Sequence, residues 1–289
     1  FHGHTFPGAL VPFGAVQLSP DTRLDGWDGC SGYHYSDSVI YGFSHTHLSG
    51  TGCSDYGDIL IMPFEGKGSV KNTEYSATFS HNNETAIPGY YSVLLHNGIK
   101  AELTAGKHVC VHRYTFPTDG KKGIVVDLQH RDKTLSAELK YDGKSLSGYR
   151  VSNAWNIEQY IAFSLETSIP IETVEFYIND SLTTEGEKII GKNCKALVYF
   201  PDSVKQVVVK VAISAVGEDG AANNQKEIEG FDFDKVKTDA YNYWNNELSK
   251  IEVESNDEDL KKNFYTAMYH SFTAPYLFTD LDGRYLGQD

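Results

Sequence analysis

The chain has 289 residues, with 25 Lys and Arg against 39 Asp and Glu, which gives a formal net charge of −14. This length allows one large domain with a smaller appendage, or two ordinary domains, with a sizeable core. The acidic balance and the lack of a basic run argue against nucleic acid and anionic membranes as partners. The lack of any apolar run of about 18 residues argues against membrane insertion.

The N-terminal segment, residues 2–58, combines glycine with His, Asp and aromatic side chains and has little periodicity. The stretch "GWDGCSGYHY" contains Trp27 and Asp28, and "YGFSHTHLSGTGCSDYGDILIMP" contains His45, His47 and Asp55. Irregular loops of this composition suit carbohydrate sites, which combine directional hydrogen bonds with flat apolar rings. The alternative is a set of tight turns in which the His and Asp side chains tie down buried loop backbone. The sequence leaves both interpretations open.

The same stretch contains a candidate set of metal ligands in His45, His47, Asp55 and Asp58. The two histidines, two positions apart, would lie on one side of the chain if this piece is a strand. Neither the spacing nor the ligand mixture matches a closed zinc site, and calcium favours more carboxylates on a regular loop. We therefore predict no metal site from these residues.

Four cysteines, Cys30, Cys53, Cys110 and Cys194, are widely spaced and form no CxxC pattern. This spacing argues against structural zinc and leaves the redox compartment open. Cys30 and Cys53 flank the two richest loops, so a disulfide between them is one alternative. Buried free thiols are the other, which we favour because free Cys is commonly buried and inert.

From about Tyr90 to Ser214 the sequence predicts one strand after another. "YYSVLLHNGIKAELTAGKHVCVHRYTFP" alternates apolar and polar residues around an Asn97-Gly98 turn, which is a strong hairpin signal. Further strands follow in "GIVVDLQH", "WNIEQYIAFSLE", "TVEFYIND", "KALVYFP" and "QVVVKVAIS". Strands at this spacing, without intervening helical patterns, predict a mainly β fold built on a large antiparallel sandwich.

After Gly230 the apolar period changes, and two α-helices are predicted. The first helix presents on one face Val236, Ala240, Trp244 and Leu248, with Tyr243 and Ile251 on the same side. The second helix opens at "SNDE", where Ser255 as N-cap and Glu258 three residues later form a plausible capping box. Its apolar stripe continues at Leu260, Phe264 and Met268, and Pro275 ends it.

Four stretches together resemble a known family. They are "HGHTFPGALVPFGAVQLSPDT", "GWDGCSGYHY", "GFSHTHLSGTGCSDYGDILIMP" and the closing "YTAMYHSFTAPYLFTDLDGRYLGQD". These motifs closely resemble glycoside hydrolase family 92, the exo-acting α-mannosidases. They are long, they follow the family's order, and they extend from one end of the chain to the other.

The resemblance implies an N-terminal β-sandwich of the galactose-mutarotase-like supersandwich type, two linking helices and an (α/α)6 barrel. We accordingly expect residues 1–230 to form the sandwich, 231–274 the linker helices and 275–289 the start of the barrel. It also implies that terminal α-mannosides of mannose-rich glycans are hydrolysed with inversion, assisted by calcium, in the periplasm or outside the cell. Inversion needs one acid and one base carboxyl group. Both, together with the main calcium ligands, are expected in the barrel beyond Asp289.

The resemblance further implies that the glycine-rich loops of the sandwich supply part of the wall around the terminal mannose. Trp27 would offer an apolar face to the sugar. Asp28, His45, His47 and Asp55 would orient the sugar or brace the loops that do.

From the other domain, the segment "GRYLGQD" resembles the one that enters the pocket, which makes Arg284 and Asp289 candidate substrate-binding residues. The expected partners are thus a mannose-containing glycan and the C-terminal barrel of the same protein. Two alternatives are a non-catalytic carbohydrate-binding sandwich and a purely structural domain that stabilises the barrel.

Overall fold

The computed structural model of the chain describes residues 2–184 and 186–287, and strands make up most of its regular structure. In chain order they are β1 (Ser19–Asp21), β2 (Val39–Ile40), β3 (Gly42–Ser44), β4 (Leu60–Glu65), β5 (Ala77–Thr78), β6 (Glu84–Ile87), β7 (Tyr90–Leu94), β8 (Lys100–Ala105), β9 (Val109–Thr115), β10 (Lys122–Asp127), β11 (Lys133–Tyr141), β12 (Leu146–Asn153), β13 (Gln159–Thr167), β14 (Thr173–Ile178), β15 (Ser181–Leu182), β16 (Lys188–Gly191), β17 (Cys194–Phe200) and β18 (Gln206–Ser214).

Two large antiparallel sheets form the body of the molecule. The seven-stranded sheet has the order β1-β3-β4-β10-β17-β14-β15, and the nine-stranded sheet has the order β16-β11-β12-β13-β18-β9-β8-β7-β6. Strands β2 and β5 pair separately. Both large sheets contribute side chains to the main core, among them Met62 and Phe200 from one sheet and Tyr114 and Phe163 from the other. The predicted mainly β sandwich followed by helices is confirmed.

The hairpin predicted at Asn97-Gly98 joins β7 to β8, with Leu94 opposite Lys100. Gly98 has a φ of 89°, which a glycine adopts without steric cost. The Asn97 side-chain oxygen accepts a hydrogen bond from the Ile99 backbone N–H at 3.1 Å. The turn residues therefore set the register of this pair.

Strand β18 has apolar side chains on both faces, although Lys210 interrupts the outer one, and apolar residues on both faces are buried. Val209 and Val211 belong to the core between the sheets. Val208 and Ala212, on the other face, pack in a second cluster with Phe233. A helix thus covers part of the outer face of the nine-stranded sheet, which explains why apolar residues occur on both faces of this strand.

The N-terminal segment is more regular than its sequence pattern predicts. Strands β1 and β3 pair with each other, and Phe43 of β3 pairs with Ile61 of β4. These strands are only three residues long, which is too short to produce a recognisable alternation. The seven-stranded sheet therefore extends directly beneath the glycine-rich loops.

Four α-helices and three short 3₁₀ turns complete the regular structure of the described residues. The helices are α1 (Asn72–Tyr75), α2 (Glu218–Asn224), α3 (Phe233–Leu248) and α4 (Glu258–Ser271), and the 3₁₀ turns are Trp27–Gly29, His81–Asn83 and Gln225–Glu227. Within the part of the chain that the structure describes, no helix is long and apolar enough to cross a membrane.

Helix α3 confirms the first predicted helix and packs on the sandwich. Val236, Ala240 and Trp244 are buried on one face. The Trp244 Nε1–H donates to the Leu10 backbone carbonyl at 2.7 Å. Ile251, which was expected on the same face, lies beyond the end of the helix and is exposed.

Helix α4 exists as predicted, but its start was predicted wrongly. The N-cap is Asp257, whose carboxylate accepts hydrogen bonds from the Asp259 and Leu260 backbone N–H groups, both at 3.0 Å. The Ser255 hydroxyl instead accepts from the Asp257 N–H in the preceding turn. Asp and Ser are comparable N-cap residues, and the Ser255 hydroxyl is already engaged before the helix begins at Glu258. Of the predicted stripe, Met268 is buried and Leu260 is exposed.

The segment after α4, residues 273–280, is bound to the sandwich along its length; we call it the strap. The Tyr276 hydroxyl donates to the His47 carbonyl at 2.8 Å, and the ring of His108 bonds the Thr279 carbonyl at 2.8 Å. The Asp280 carboxylate accepts from the Ser214 hydroxyl at 2.7 Å and from the Asn224 amide at 2.8 Å. The strap therefore holds the helices in a fixed position relative to the loops.

Candidate functional site

Trp27 stands on the surface at the head of a 3₁₀ turn, with 62% of its area exposed. The ring of His4 meets it edge to face, with 4.8 Å between ring centroids and an interplanar angle of 89°. His2 lies close to both rings. An indole supported from behind in this way offers a flat apolar face in a fixed orientation.

Asp28 lies next to this face with its carboxylate half-exposed. His2 Nδ1 bonds one carboxylate oxygen at 2.7 Å, and His34 Nε2 is 3.5 Å from the other. The hydrogen bond from His2 lowers the pKa of Asp28, so the carboxylate is ionised near neutral pH. An ionised carboxylate at the edge of an aromatic face can accept hydrogen bonds from hydroxyl groups.

The glycine-rich loop, residues 45–58, approaches both His4 and Trp27. The Gly50 N–H donates to the His4 carbonyl at 2.6 Å. Gly52 has a φ of 67°, and a Cβ there would lie 4.0 Å from Trp27 Nε1. The loop follows this path because glycine adopts a positive φ without penalty. The N-terminal segment, the Trp27 turn and the glycine-rich loop therefore form one continuous surface.

Asp55 is 5% exposed and bonds backbone with both of its oxygens. One oxygen accepts from the Tyr56 N–H at 3.2 Å, and the other accepts from the Asn156 N–H at 3.0 Å. Of the two roles considered for Asp55, these contacts match the bracing of loops, because its carboxylate is already engaged.

His45 is completely buried and belongs to a chain of hydrogen bonds inside the sandwich. Its Nε2 lies 2.9 Å from His112 Nε2, and His112 Nδ1 lies 2.8 Å from the Tyr114 hydroxyl. His45 Nδ1 faces the Ile59 carbonyl, so it carries a proton and its Nε2 is the acceptor. Burial lowers the pKa of His45 to about 3 and holds that of His112 well below its usual value. A buried ring with both nitrogens engaged braces the loop and does not reach a sugar at the surface.

His47 is also buried, in a separate polar cluster centred on Asp21. The two Asp21 oxygens lie 3.1 Å from His47 Nε2 and 2.9 Å from His130 Nε2. Burial alone would raise the pKa of Asp21, but the two imidazoles outweigh it and hold the pKa far below its usual value. His45 and His47 therefore have different partners, and the segment that contains them begins where β3 ends. His47 likewise braces the loop.

Asp58 fixes the end of the same loop. Its carboxylate pairs with the buried Arg150 guanidinium and accepts from the Thr46 hydroxyl at 2.7 Å and from the Gln159 amide at 2.6 Å. Burial raises the pKa of the neighbouring Asp132 to about 7, although Arg150 acts in the opposite direction. The floor beneath the loops is thus a buried network of charged groups.

Arg284 follows the strap and is bound to acidic groups at the surface. Its Nη1 lies 2.7 Å from the carboxylate of Asp219, in α2, and its Nε lies 2.9 Å from Asp282. The structure does not bring Arg284 into contact with Trp27 or Asp28. Asp289 lies outside the described residues.

Sequence models of one enzyme family match nearly all of the chain. Residues 1–214 match the glycosyl hydrolase family 92 N-terminal domain. Residues 220–289 match the glycosyl hydrolase family 92 catalytic domain. The chain belongs to glycosyl hydrolase family 92.

Solved structures of family 92 proteins superpose closely on the chain. The α-mannosidase BT3965 from Bacteroides thetaiotaomicron, in complex with mannoimidazole, is 33% identical with a TM-score of 0.92 over 98% of this chain and 40% of its own. The inverting mannosidase BT2199 from the same organism is 27% identical with a TM-score of 0.86 over 98% of this chain and 38% of its own. An uncharacterized secreted glycosidase of Arthroderma benhamiae is 28% identical over 96% of this chain and 40% of its own length. The chain therefore spans about 40% of these relatives.

Family 92 resemblance implies calcium, and the donor atoms described here do not form a site for it. Among residues 2–184 and 186–287, no group of three or more His, Cys, Asp or Glu side chains is arranged to hold a metal ion. The carboxylates of Asp21, Asp55 and Asp58 are already engaged by imidazoles, backbone and a guanidinium. The four cysteines are free thiols.

Several residues that support Trp27, Asp28 and the glycine-rich loop were not predicted from the sequence. His2 and His4 support Trp27 and Asp28, and their signal was the "HGH" at the start of the chain. Asp21 and His130 are 109 residues apart and meet only through the sheet, so no local pattern joins them.

Proposed function

We propose that the chain is the N-terminal part of a secreted, exo-acting, inverting, calcium-dependent α-mannosidase that hydrolyses terminal α-mannosides of mannose-rich glycans. Family membership supports a glycoside hydrolase. The solved relatives support mannose as the sugar, because one binds mannoimidazole and another is an inverting mannosidase. A relative that is a secreted glycosidase supports secretion.

The observation that carries this proposal is the exposed indole of Trp27 beside the ionised carboxylate of Asp28. The apolar face of a mannose ring stacks on Trp27, and a sugar hydroxyl donates to Asp28. His45, His47 and Asp55 keep the adjoining loop in place. Asp289, which lies outside the described residues, is proposed as a further sugar-binding residue on the barrel side.

The acid, the base and the calcium ligands of the whole enzyme are proposed to lie beyond Asp289. Inversion requires an acid that protonates the leaving oxygen and a carboxylate that activates water, about 6.5–9.5 Å apart. The sandwich contributes to this reaction by binding and orienting the terminal mannose. It supplies no proton-transfer group in this proposal.

The full-length protein tests the proposal by its activity on paired substrates. We expect it to hydrolyse 4-nitrophenyl α-mannoside and α-linked mannobiose, to release β-mannose first, and to lose activity when calcium is chelated. The matched controls are 4-nitrophenyl β-mannoside and 4-nitrophenyl α-glucoside, which should not be cleaved. Binding of mannosides without hydrolysis by the full-length protein would instead favour a non-catalytic carbohydrate-binding sandwich.

A further inference from the structure

The turn between β12 and β13, residues 153–158, carries two exposed apolar side chains. Trp155 and Ile157 are each 74% exposed, more than any other large hydrophobic residue of the described chain. They alternate with the exposed residues Asn156 and Glu158. Exposure of this much apolar surface by two neighbouring positions indicates a contact surface.

The turn is held in place, so the exposure of Trp155 does not result from a loose loop. The Asn153 side-chain amide donates to the Ile157 carbonyl at 2.6 Å, and the Ala154 N–H donates to the Asn156 carbonyl at 3.0 Å. The Asn156 N–H donates to the buried carboxylate of Asp55 at 3.0 Å. The bonds on both sides of Trp155 hold its backbone in a fixed position.

This turn adjoins the candidate site through the glycine-rich loop. Asp55 anchors the turn, and Gly52, three residues earlier in the same loop, lies against Trp27. Three residues of chain span at most about 10 Å. The turn that carries Trp155 and the indole of Trp27 therefore both adjoin one short loop.

We propose that Trp155, with Ile157, is a second sugar-stacking surface that contacts mannose residues further along the glycan than the terminal one. This proposal rests on the proposed function. An indole face next to the exposed amide of Asn156 and the carboxylate of Glu158 combines the stacking and hydrogen bonding that a sugar residue requires. Because the Trp155 turn and Trp27 adjoin the same short loop, an extended oligosaccharide bound at Trp27 can continue to Trp155. Trp155 thus gives the enzyme a preference for longer glycans.

The test compares substrates of different length in the full-length enzyme. Trp155→Ala should lower kcat/KM for an α-linked mannotetraose about five- to tenfold relative to kcat/KM for 4-nitrophenyl α-mannoside, since the short substrate does not reach the second surface. Trp155→Phe, which keeps a flat ring, should retain most of this ratio. Ile190→Ala is the matched control, because Ile190 is exposed on the edge strand β16 and should leave the ratio unchanged.

Three outcomes would contradict the proposal. An active wild-type enzyme whose substrate ratio is the same in Trp155→Ala would overturn the role of Trp155 and leave the proposed function intact. An equal loss on both substrates with a melting temperature several degrees lower would show that Trp155 packs against protein. A wild-type enzyme that cleaves neither α-mannoside would overturn both proposals.

Discussion

The Nε2 atoms of His45 and His112 lie 2.9 Å apart in the interior of the sandwich, with no room between them for two protons. His45 Nδ1 must donate to Ile59, and His112 Nδ1 accepts from Tyr114, so the single shared proton belongs to His112 Nε2. Protonation of either ring would break this chain of bonds. The native state therefore requires both imidazoles to be neutral.

This pair should make the sandwich sensitive to acid. Both pKa values are depressed in the folded state, to about 3 for His45, whereas an unfolded histidine titrates at about 6.5. Below pH 6.5 the unfolded chain binds more protons, so the free energy of unfolding falls as the pH falls, by up to about 1.4 kcal/mol per pH unit for each histidine. Denaturant unfolding from pH 7.5 to 4.5 measures this slope.

The pH dependence of the free energy of unfolding is best compared between the wild type and variants of single histidines. Asp132, with its pKa raised to about 7, contributes the opposite slope, because the folded state binds its proton first. His112→Phe should lower the slope by up to about 1.4 kcal/mol per pH unit, while the exposed His96→Gln should leave it unchanged. Equal slopes in the wild type and His112→Phe would contradict the neutral pair.

Trp27→Ala should lower kcat/KM of the full-length enzyme on α-mannosides by at least about tenfold, because the stacking face is lost. The melting temperature should change little, since the indole is 62% exposed. Leu182→Ala, at the far edge of the seven-stranded sheet, is the control. Asp289→Ala should show the same loss of activity. Wild-type kinetics in both variants, or loss of activity only through unfolding, would remove these residues from the site.

The 289-residue chain alone should have no α-mannosidase activity, because the acid and the base are proposed to lie beyond it. The measurement is release of nitrophenol from 4-nitrophenyl α-mannoside in the presence of calcium. A cooperative thermal transition of the same sample establishes that the chain is folded. Calcium-dependent hydrolysis by the pure chain would place catalytic groups within it.

Trp244→Ala should destabilise the chain by about 3–5 kcal/mol. The side chain is fully buried against Phe6 and Leu10, and its loss leaves a cavity and an unpaired Leu10 carbonyl. Tyr241→Ala, at an exposed position of the same helix, should change stability by less than about 0.5 kcal/mol. Urea unfolding measures both, and similar stabilities would mean that α3 is not held through Trp244.

The sandwich could be predicted from the sequence where the signal is local. Alternation and an Asn-Gly turn are enough for β7 and β8, and the four-residue repeat is enough for α3. The hairpin of β11 and β12 was missed, although its Asp142 side chain accepts hydrogen bonds from the backbone N–H groups of the turn and Gly143 has a φ of 89°. Its strands are polar enough on one face to resemble loop sequence.

The candidate site was only partly predictable, because residue type does not reveal burial. His45, Asp55 and Trp27 all come from glycine-rich segments, yet only Trp27 is exposed. What separates them is whether a distant partner exists, such as His112 for His45 or Asn156 for Asp55. Those partners are brought together by the sheets, and only the tertiary structure identifies them.

Residues 1–214 and 220–289 match two different domain models of family 92. Contacts of the strap and of Trp244 with the sandwich nevertheless join the two parts into one packed unit. A protein truncated at Ser214 would lose the donor to the Leu10 carbonyl, and the outer face of β18 would lose its cover from Phe233. The packed unit therefore extends through Asp280, which bonds Ser214 directly. An exchange of N-terminal domains between related enzymes should carry this whole unit, so that the loops around Trp27 keep their orientation toward the incoming partner.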